Sequence, residues 1–100
     1  MYSIIWRYKI KKGSDKEFEF EYGKEGAWSN LFKNSNNYLG SFLHKSLDMN
    51  QMYLLIDTWT SEQSYKDFIN LNGSVYNSLS SRFEKLYDSE ENIGAFNAIN

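Results

Sequence analysis

Two side chains in the sequence are candidates for acid–base chemistry. Asp57 follows an apolar segment and lies two residues before Trp59, so that a strand would project both side chains from one face. A carboxylate among apolar neighbours must be paired, hydrogen-bonded or shifted in pKa. His44 is the only histidine, and imidazole is the natural acid–base group near neutral pH. Asp57 and His44 are therefore the candidate catalytic residues.

Both candidates also have structural interpretations. Arg7 lies on a predicted strand next to that of Asp57, so we expect a structural ion pair, Arg7–Asp57, that braces the sheet or a dimer interface. The alternatives for Asp57 are a general base and an exposed aspartate without a special role. His44 is expected to be exposed or hydrogen-bonded near a hairpin end. With one histidine and no cysteine, nothing has the spacing of a metal site, and no metal is expected.

Aromatic residues make up 18% of the chain, an excess that the fold has to accommodate. Flat, apolar side chains stack well on flat aromatic ligands, so we predict a pocket for a planar small molecule between helices and sheet. Its predicted lining is Trp6, Tyr8, Tyr22, Trp28, Phe32, Trp59, Phe68 and Tyr76. The alternative is a closed core, with the surplus aromatic side chains at a dimer interface.

The elements that must position these residues follow from hydrophobic periodicity. Apolar residues alternate over 2–10, which predicts a first strand. A Ser14–Glu17 capping box predicts the start of a helix, which Gly23 and Gly26 interrupt. Strands are predicted over 38–47, with Tyr38, Phe42 and His44 on one face, and over 52–59. Thr60 with Gln63 predicts the cap of a second helical region, broken near 72–73, and a weak strand follows over 93–99.

The order is β-α-β-β-α-β, which predicts an α+β, ferredoxin-like domain spanning residues 1–100. Its four-stranded antiparallel sheet would carry both helical regions on one face. The third strand is apolar on both faces, so the uncovered sheet face also needs a partner. We expect a homodimer joined sheet to sheet or edge to edge.

Charge and hydropathy exclude other classes of protein. The net charge of −2 and the scarcity of basic clusters argue against binding to nucleic acid. No apolar run approaches the ~20 residues of a membrane helix, so no membrane association is expected. The first ten residues alternate and include Arg7 and Lys9, unlike a signal peptide, and we expect a cytoplasmic protein.

Several segments together resemble the antibiotic biosynthesis monooxygenase-like domains of the dimeric α+β barrel superfamily. They are 6–13, 18–23, 26–32, 38–41 and 53–61, and the last contains an acid-x-Trp-x-Ser signature at Asp57, Trp59 and Ser61. The resemblance implies a homodimer whose two sheets form a barrel, and a pocket between helices and sheet in each subunit. It also implies a cofactor-independent monooxygenase, with no cofactor, acting on a quinol-type or polyaromatic substrate. Asp57 or His44 would be the base, and Tyr, Trp or Asn30 would stabilise the oxyanion. The alternative is a non-catalytic small-molecule-binding or interaction module that dimerises through its sheet.

The haem-degrading branch of this superfamily is not expected here. The resemblance implies that this branch uses an Asn on the first strand, a Trp on the helix after the signature and a later His. These positions hold Trp6 and Phe68 in this chain, and residues 72–81 contain no histidine.

Overall fold

The computed structural model describes every residue from Met1 to Asn100 and shows four strands and four α-helices. In chain order they are β1 (Tyr2–Ile10), α1 (Asp15–Glu21), α2 (Ala27–Phe32), β2 (Tyr38–Lys45), β3 (Met52–Trp59), α3 (Glu62–Leu71), α4 (Gly73–Phe83) and β4 (Tyr87–Asn97). A 3₁₀ turn, Glu84–Leu86, joins α4 to β4. The predicted β-α-β-β-α-β order is confirmed, with each helical region divided into two helices.

The strands form one antiparallel sheet in the order β2-β3-β1-β4. β1 lies at the centre and pairs with β3 from Tyr2 opposite Trp59 to Lys9 opposite Met52. This pairing confirms the expectation that the first and third strands are neighbours. It also makes β2 and β4 the two edge strands.

The helices cover one face of the sheet, and the core lies between them. The alternating pleat of β1 and β3 turns every second side chain towards the helices. The buried side chains of these two strands on the helix-facing side are Tyr2, Ile4, Tyr8, Ile10, Tyr53, Leu55, Asp57 and Trp59. They pack against buried residues of the helices, Phe18, Trp28, Phe32, Phe68 and Phe83, and against Tyr22 directly after α1. Most of the core is therefore aromatic, which accounts for much of the excess in composition.

The breaks between helices lie near the glycines that predicted them. The residues that cap the helices differ from the prediction. At Gly26 a Cβ atom would lie 2.2 Å from the carbonyl oxygens of Phe20 and Glu21, so only glycine fits there. The predicted Ser14 capping box is wrong: Ser14 has φ −94° and ψ 3°, not the extended backbone of an N-cap, and its hydroxyl caps nothing. The second cap lies one residue after Thr60, where Ser61 and Ser64 form a capping box.

A bulge at Gly40 changes which side chains of β2 share a face. The register with β3 shifts between Tyr38 and Gly40, and Gly40 has φ +130°, which favours glycine. The extra residue places Tyr38 on the helix-facing side, whereas Phe42 and His44 project from the opposite face. The prediction that all three share a face is therefore wrong, because a one-residue shift reverses the alternation.

The last strand is longer than its sequence pattern indicates. β4 begins at Tyr87, six residues before the predicted start, and pairs with β1 through a bulge between Ile5 and Trp6. Its first half is polar, so hydrophobic periodicity could not reveal it. None of the helices combines the length and the apolar character needed to cross a membrane.

Candidate active site

A small cavity lies between the helices and the sheet, next to Asp57. It has a volume of about 20 Å³, slightly more than the ~10–15 Å³ that one water molecule needs. Its lining consists of Trp6, Tyr8, Tyr22, Trp28, Phe32, Leu55, Asp57, Tyr76, Ser80 and Glu90. Six of the eight aromatic residues predicted to form the pocket thus lie on its wall.

The other two predicted residues lie in the core behind the wall. Trp59 is fully buried, with its ring 5.4 Å from that of Phe32 and 5.3 Å from that of Phe68. Phe32, which lines the cavity, contacts both rings. Their contribution is packing, since a buried Trp or Phe is among the side chains that stabilise a core most.

Asp57 projects from the helix-facing side of β3 and is only 7% exposed. Its carboxylate accepts a hydrogen bond from the Ser41 hydroxyl, with 2.5 Å between Oγ and Oδ1. Burial raises the pKa of Asp57 from its ordinary value of 3.8 to about 6, and the Ser41 hydrogen bond opposes part of this rise. Asp57 is therefore ionised at neutral pH but holds its proton more tightly than an exposed aspartate.

The predicted Arg7–Asp57 ion pair is wrong. In the register of β1 with β3, Arg7 lies opposite Leu54, whereas Asp57 lies opposite Ile4. Arg7 therefore projects from the face without helices, where its Nη2 lies 2.6 Å from the Glu91 carboxylate. Asp57 is left without a salt bridge, so its charge is balanced by hydrogen bonding alone.

The structure separates the other two polar candidates from the cavity. His44 is exposed and lies opposite Leu54 on the helix-free face, away from Asp57. Asn30 is exposed, and its amide donates to the Glu25 carbonyl at 3.3 Å. Neither residue is placed to act on a molecule held beside Asp57.

Two buried polar atoms on the cavity wall have no hydrogen bond to the rest of the protein. They are the Tyr22 hydroxyl and the Trp28 indole nitrogen. The Trp28 N–H lies close enough to the Tyr22 oxygen to lower the pKa of that phenol, so the two groups partly satisfy each other. Burial raises the pKa of Tyr22 above the ordinary value for tyrosine and that of Tyr76 to about 12. Both phenols are therefore neutral at pH 7 and able to donate.

Sequence reasoning missed Ser41 and Glu90. Ser41 lies directly opposite Asp57 in the β2–β3 pair, and only recognition of the bulge at Gly40 would have revealed this. Glu90 lies opposite Tyr8 in the β1–β4 pair and accepts a hydrogen bond from the Tyr8 hydroxyl at 2.6 Å. It falls in a polar segment before the predicted last strand, so no sequence pattern marked it.

Solved structures share this architecture over almost the whole chain. No family model matches the sequence, and no curated protein matches it. SnoaB, a cofactor-independent oxygenase from Streptomyces nogalater, superposes with a TM-score of 0.73 at 19% identity, covering 99% of this chain and 93% of that one. A candidate antibiotic biosynthesis monooxygenase from Bordetella bronchiseptica has a TM-score of 0.73 at 14% identity, covering 99% and 97%.

MhuD, in a crystal structure with manganese protoporphyrin IX, has a TM-score of 0.73 at 15% identity, covering 100% of this chain and 96% of that one. At these identities the similarity shows the fold, and the chain has the antibiotic biosynthesis monooxygenase-like fold. The lining of the cavity beside Asp57 in this chain contains no histidine.

Proposed function

We propose that this protein is a cofactor-independent monooxygenase of a small planar aromatic or quinol-type substrate bound between helices and sheet. The observation that carries the proposal is Asp57, a buried carboxylate without a cation on the wall of an aromatic cavity. A general base works best when its pKa lies near the operating pH, and the pKa of Asp57 is about 6. The fold shared with a cofactor-independent oxygenase supports this assignment.

The chemistry requires only proton transfer and charge stabilisation from the protein. Asp57 takes a proton from an acidic O–H or C–H group of the substrate, which leaves an electron-rich anion. The anion reduces dioxygen and forms a C–O bond, and Asp57 gives its proton to the resulting peroxide. Asp57 then takes the remaining proton from the carbon that carries the hydroperoxide, the O–O bond breaks, and a C=O group forms. The departing hydroxide receives this second proton from Asp57 and leaves as water, so a CH₂ group becomes C=O and one oxygen atom enters the substrate.

Two donors on the cavity wall are suited to the anion. The Tyr22 O–H has no acceptor in the protein, and the Trp28 N–H lies next to the Tyr22 oxygen. Preorganised donors in a site that excludes water stabilise a developing oxyanion strongly. In this assignment Asp57 removes the proton and Tyr22 and Trp28 stabilise the charge that appears.

The size of the cavity favours a second candidate function. At about 20 Å³ the cavity holds a molecule of the size of water or dioxygen, so an aromatic substrate has to displace wall side chains. A core this nearly filled is what a non-catalytic binding or interaction module would show. The two functions differ in turnover, since a module would bind an aromatic molecule or partner without consuming oxygen.

Oxygen uptake distinguishes the two functions. Purified protein is incubated with a panel of dihydroxynaphthalenes and anthrones in an oxygen electrode, without added metal or cofactor. We expect at least one substrate to consume oxygen faster than the uncatalysed reaction and to yield a quinone. Uptake at the background rate for every substrate, together with quenching of tryptophan fluorescence, would instead establish the binding module.

We also propose that the protein is a homodimer joined through the helix-free face of the sheet. Phe42, Ile56 and Ile5 lie in a row across β2, β3 and β1 on this face. Phe42 is 52% exposed, and Phe96 on β4 is 51% exposed on the same face. Apolar side chains this exposed across one face are typical of an interface.

Phe42→Asp is expected to convert the dimer into a monomer, because it introduces a charge into the apolar row. Light scattering after gel filtration should show a mass of one chain, 11.8 kDa, in place of two. The matched control is Leu47→Asp, at a fully exposed position outside the row, which should remain dimeric. A wild-type protein that is monomeric at all concentrations would contradict the proposed interface.

A further inference from the structure

Asp57 stands at the end of a chain of hydroxyl groups. Ser41 Oγ lies 2.5 Å from Asp57 Oδ1 and 2.5 Å from the Tyr38 hydroxyl. Because an ionised carboxylate only accepts, the Ser41 proton points to Asp57, and Tyr38 must then donate to Ser41. Both hydroxyls are thereby aligned towards the carboxylate, an arrangement in which each hydrogen bond strengthens the next.

At the far end of this chain of hydroxyl groups, a side chain is bonded to a backbone carbonyl. Ser29 Oγ lies 3.4 Å from the Tyr38 hydroxyl and donates to the Gly23 carbonyl at 2.9 Å. Its single proton is therefore committed to Gly23, in the turn that links α1 to α2. Tyr38 is left free to give its own proton to Ser41.

Ser41 bonds to Asp57 and also lines an open groove. This groove has a volume of about 400 Å³, and its lining includes Ser41, Glu19, Lys45 and Tyr53. Asp57 itself lines the closed cavity. The carboxylate is thus bonded through Oδ1 on the side of β2, and no side chain donates to Oδ2.

We propose that Ser41 and Tyr38 are positioning residues for Asp57: their aligned hydroxyls stabilise the ionised carboxylate and leave Oδ2 free to accept a proton from the substrate. This inference rests on the proposed function, in which Asp57 is the base. A buried charge without a cation requires hydrogen bonds to persist, and Ser41 is the only side chain that supplies one to Asp57. The bond depends on the bulge at Gly40, which brings Ser41 opposite Asp57.

The other titratable groups facing Asp57 do not replace this bond. Tyr8 on β1, Tyr65 on α3 and Tyr76 on α4 all have a pKa raised first by burial, so they stay neutral where Asp57 titrates. Glu90 on β4 lines the same cavity and brings a second negative charge rather than a donor. Loss of the Ser41 hydroxyl therefore acts on Asp57 without compensation from another charged partner.

The test is the protonation of Asp57, followed by infrared absorption of its carboxyl group and assigned by subtraction of the Asp57→Asn spectrum. Wild-type protein should show a midpoint near pH 6. Ser41→Ala should raise the midpoint by about one to two pH units, because a hydrogen bond to a charged group is lost. Tyr38→Phe should raise it by a smaller amount. The Ser41→Thr variant keeps the hydroxyl group, and threonine is favourable in a strand. Its midpoint should therefore equal that of the wild-type protein.

The outcomes separate this inference from the proposed function. A midpoint that is unchanged or lower in both Ser41→Ala and Tyr38→Phe overturns the positioning role, whether or not the protein consumes oxygen. Absence of oxygen uptake by wild-type protein overturns the monooxygenase and leaves the titration as a valid test. If the Ser41→Ala variant does not fold, the infrared midpoint of Tyr38→Phe decides whether the positioning role holds. In an active enzyme, the pH–rate profile should move with the infrared midpoint.

Discussion

Asp57→Asn is expected to lower the rate of oxygen uptake at pH 7 by about 10²- to 10⁴-fold, the contribution of a positioned general base. The substitution is nearly isosteric, and the amide oxygen can still accept the Ser41 hydrogen bond, so the fold and the cavity should be preserved. The amide cannot accept a proton from the substrate. The loss should therefore appear in kcat rather than in substrate binding, which is measured separately by tryptophan fluorescence.

Two further measurements make this result specific to Asp57. His44→Ala should retain the wild-type rate, since His44 lies exposed on the opposite sheet face. The wild-type rate should rise with pH through about 6 as Asp57 ionises. Wild-type activity in Asp57→Asn, or loss of activity in His44→Ala, would show that Asp57 is not the base.

The same substitution is expected to stabilise the protein at neutral pH. The pKa of Asp57 is about 6 in the folded protein and 3.8 when unperturbed, so folding favours the protonated form. The stability contributed by the protonated carboxyl is fully present below pH 3.8 and is lost as pH rises through 6. At about 1.4 kcal/mol per pKa unit, ionisation of Asp57 costs about 3 kcal/mol by pH 7.5. The Asp57→Asn variant carries no charge at this position and would avoid this cost.

Urea unfolding at pH 3.5 and pH 7.5 measures the effect. Asp57→Asn should unfold with about the wild-type free energy at pH 3.5 and with a free energy about 3 kcal/mol higher at pH 7.5. Asp48→Asn, at an exposed aspartate near the β2–β3 turn, removes the same charge and should stay within about 0.5 kcal/mol of wild type. A destabilised Asp57→Asn, or a difference that does not depend on pH, would show that the buried charge carries no such cost.

The two results together would mark Asp57 as functional. An Asp57→Asn variant that is more stable than wild type but inactive would show a trade-off between stability and activity. This trade-off is typical of active sites. A purely structural Asp57 would give the opposite result for stability, because its loss would remove a favourable contact. The pair of measurements therefore tests both the reaction and the reason for keeping a carboxylate in an aromatic core.

The order of elements and the helix-facing side of β1 were determined by the sequence itself. Alternation over β1 reports on neighbouring residues in one chain segment, so it identifies the buried face without knowledge of any partner strand. Gly23 and Gly26 likewise end and begin helices by local backbone geometry. Six of the aromatic side chains that these local patterns singled out line the cavity.

Only the tertiary structure decided which groups meet at Asp57. The partner of a strand residue depends on register, and the bulge at Gly40 shifts that register by one, which brings Ser41 and Tyr38 to the carboxylate. Arg7 lies on the wrong face to reach Asp57 and pairs with Glu91 instead. The closed cavity depends on how side chains from two helices, the turn after α1 and three strands pack together. These relations join residues far apart in the chain, and no local pattern encodes them.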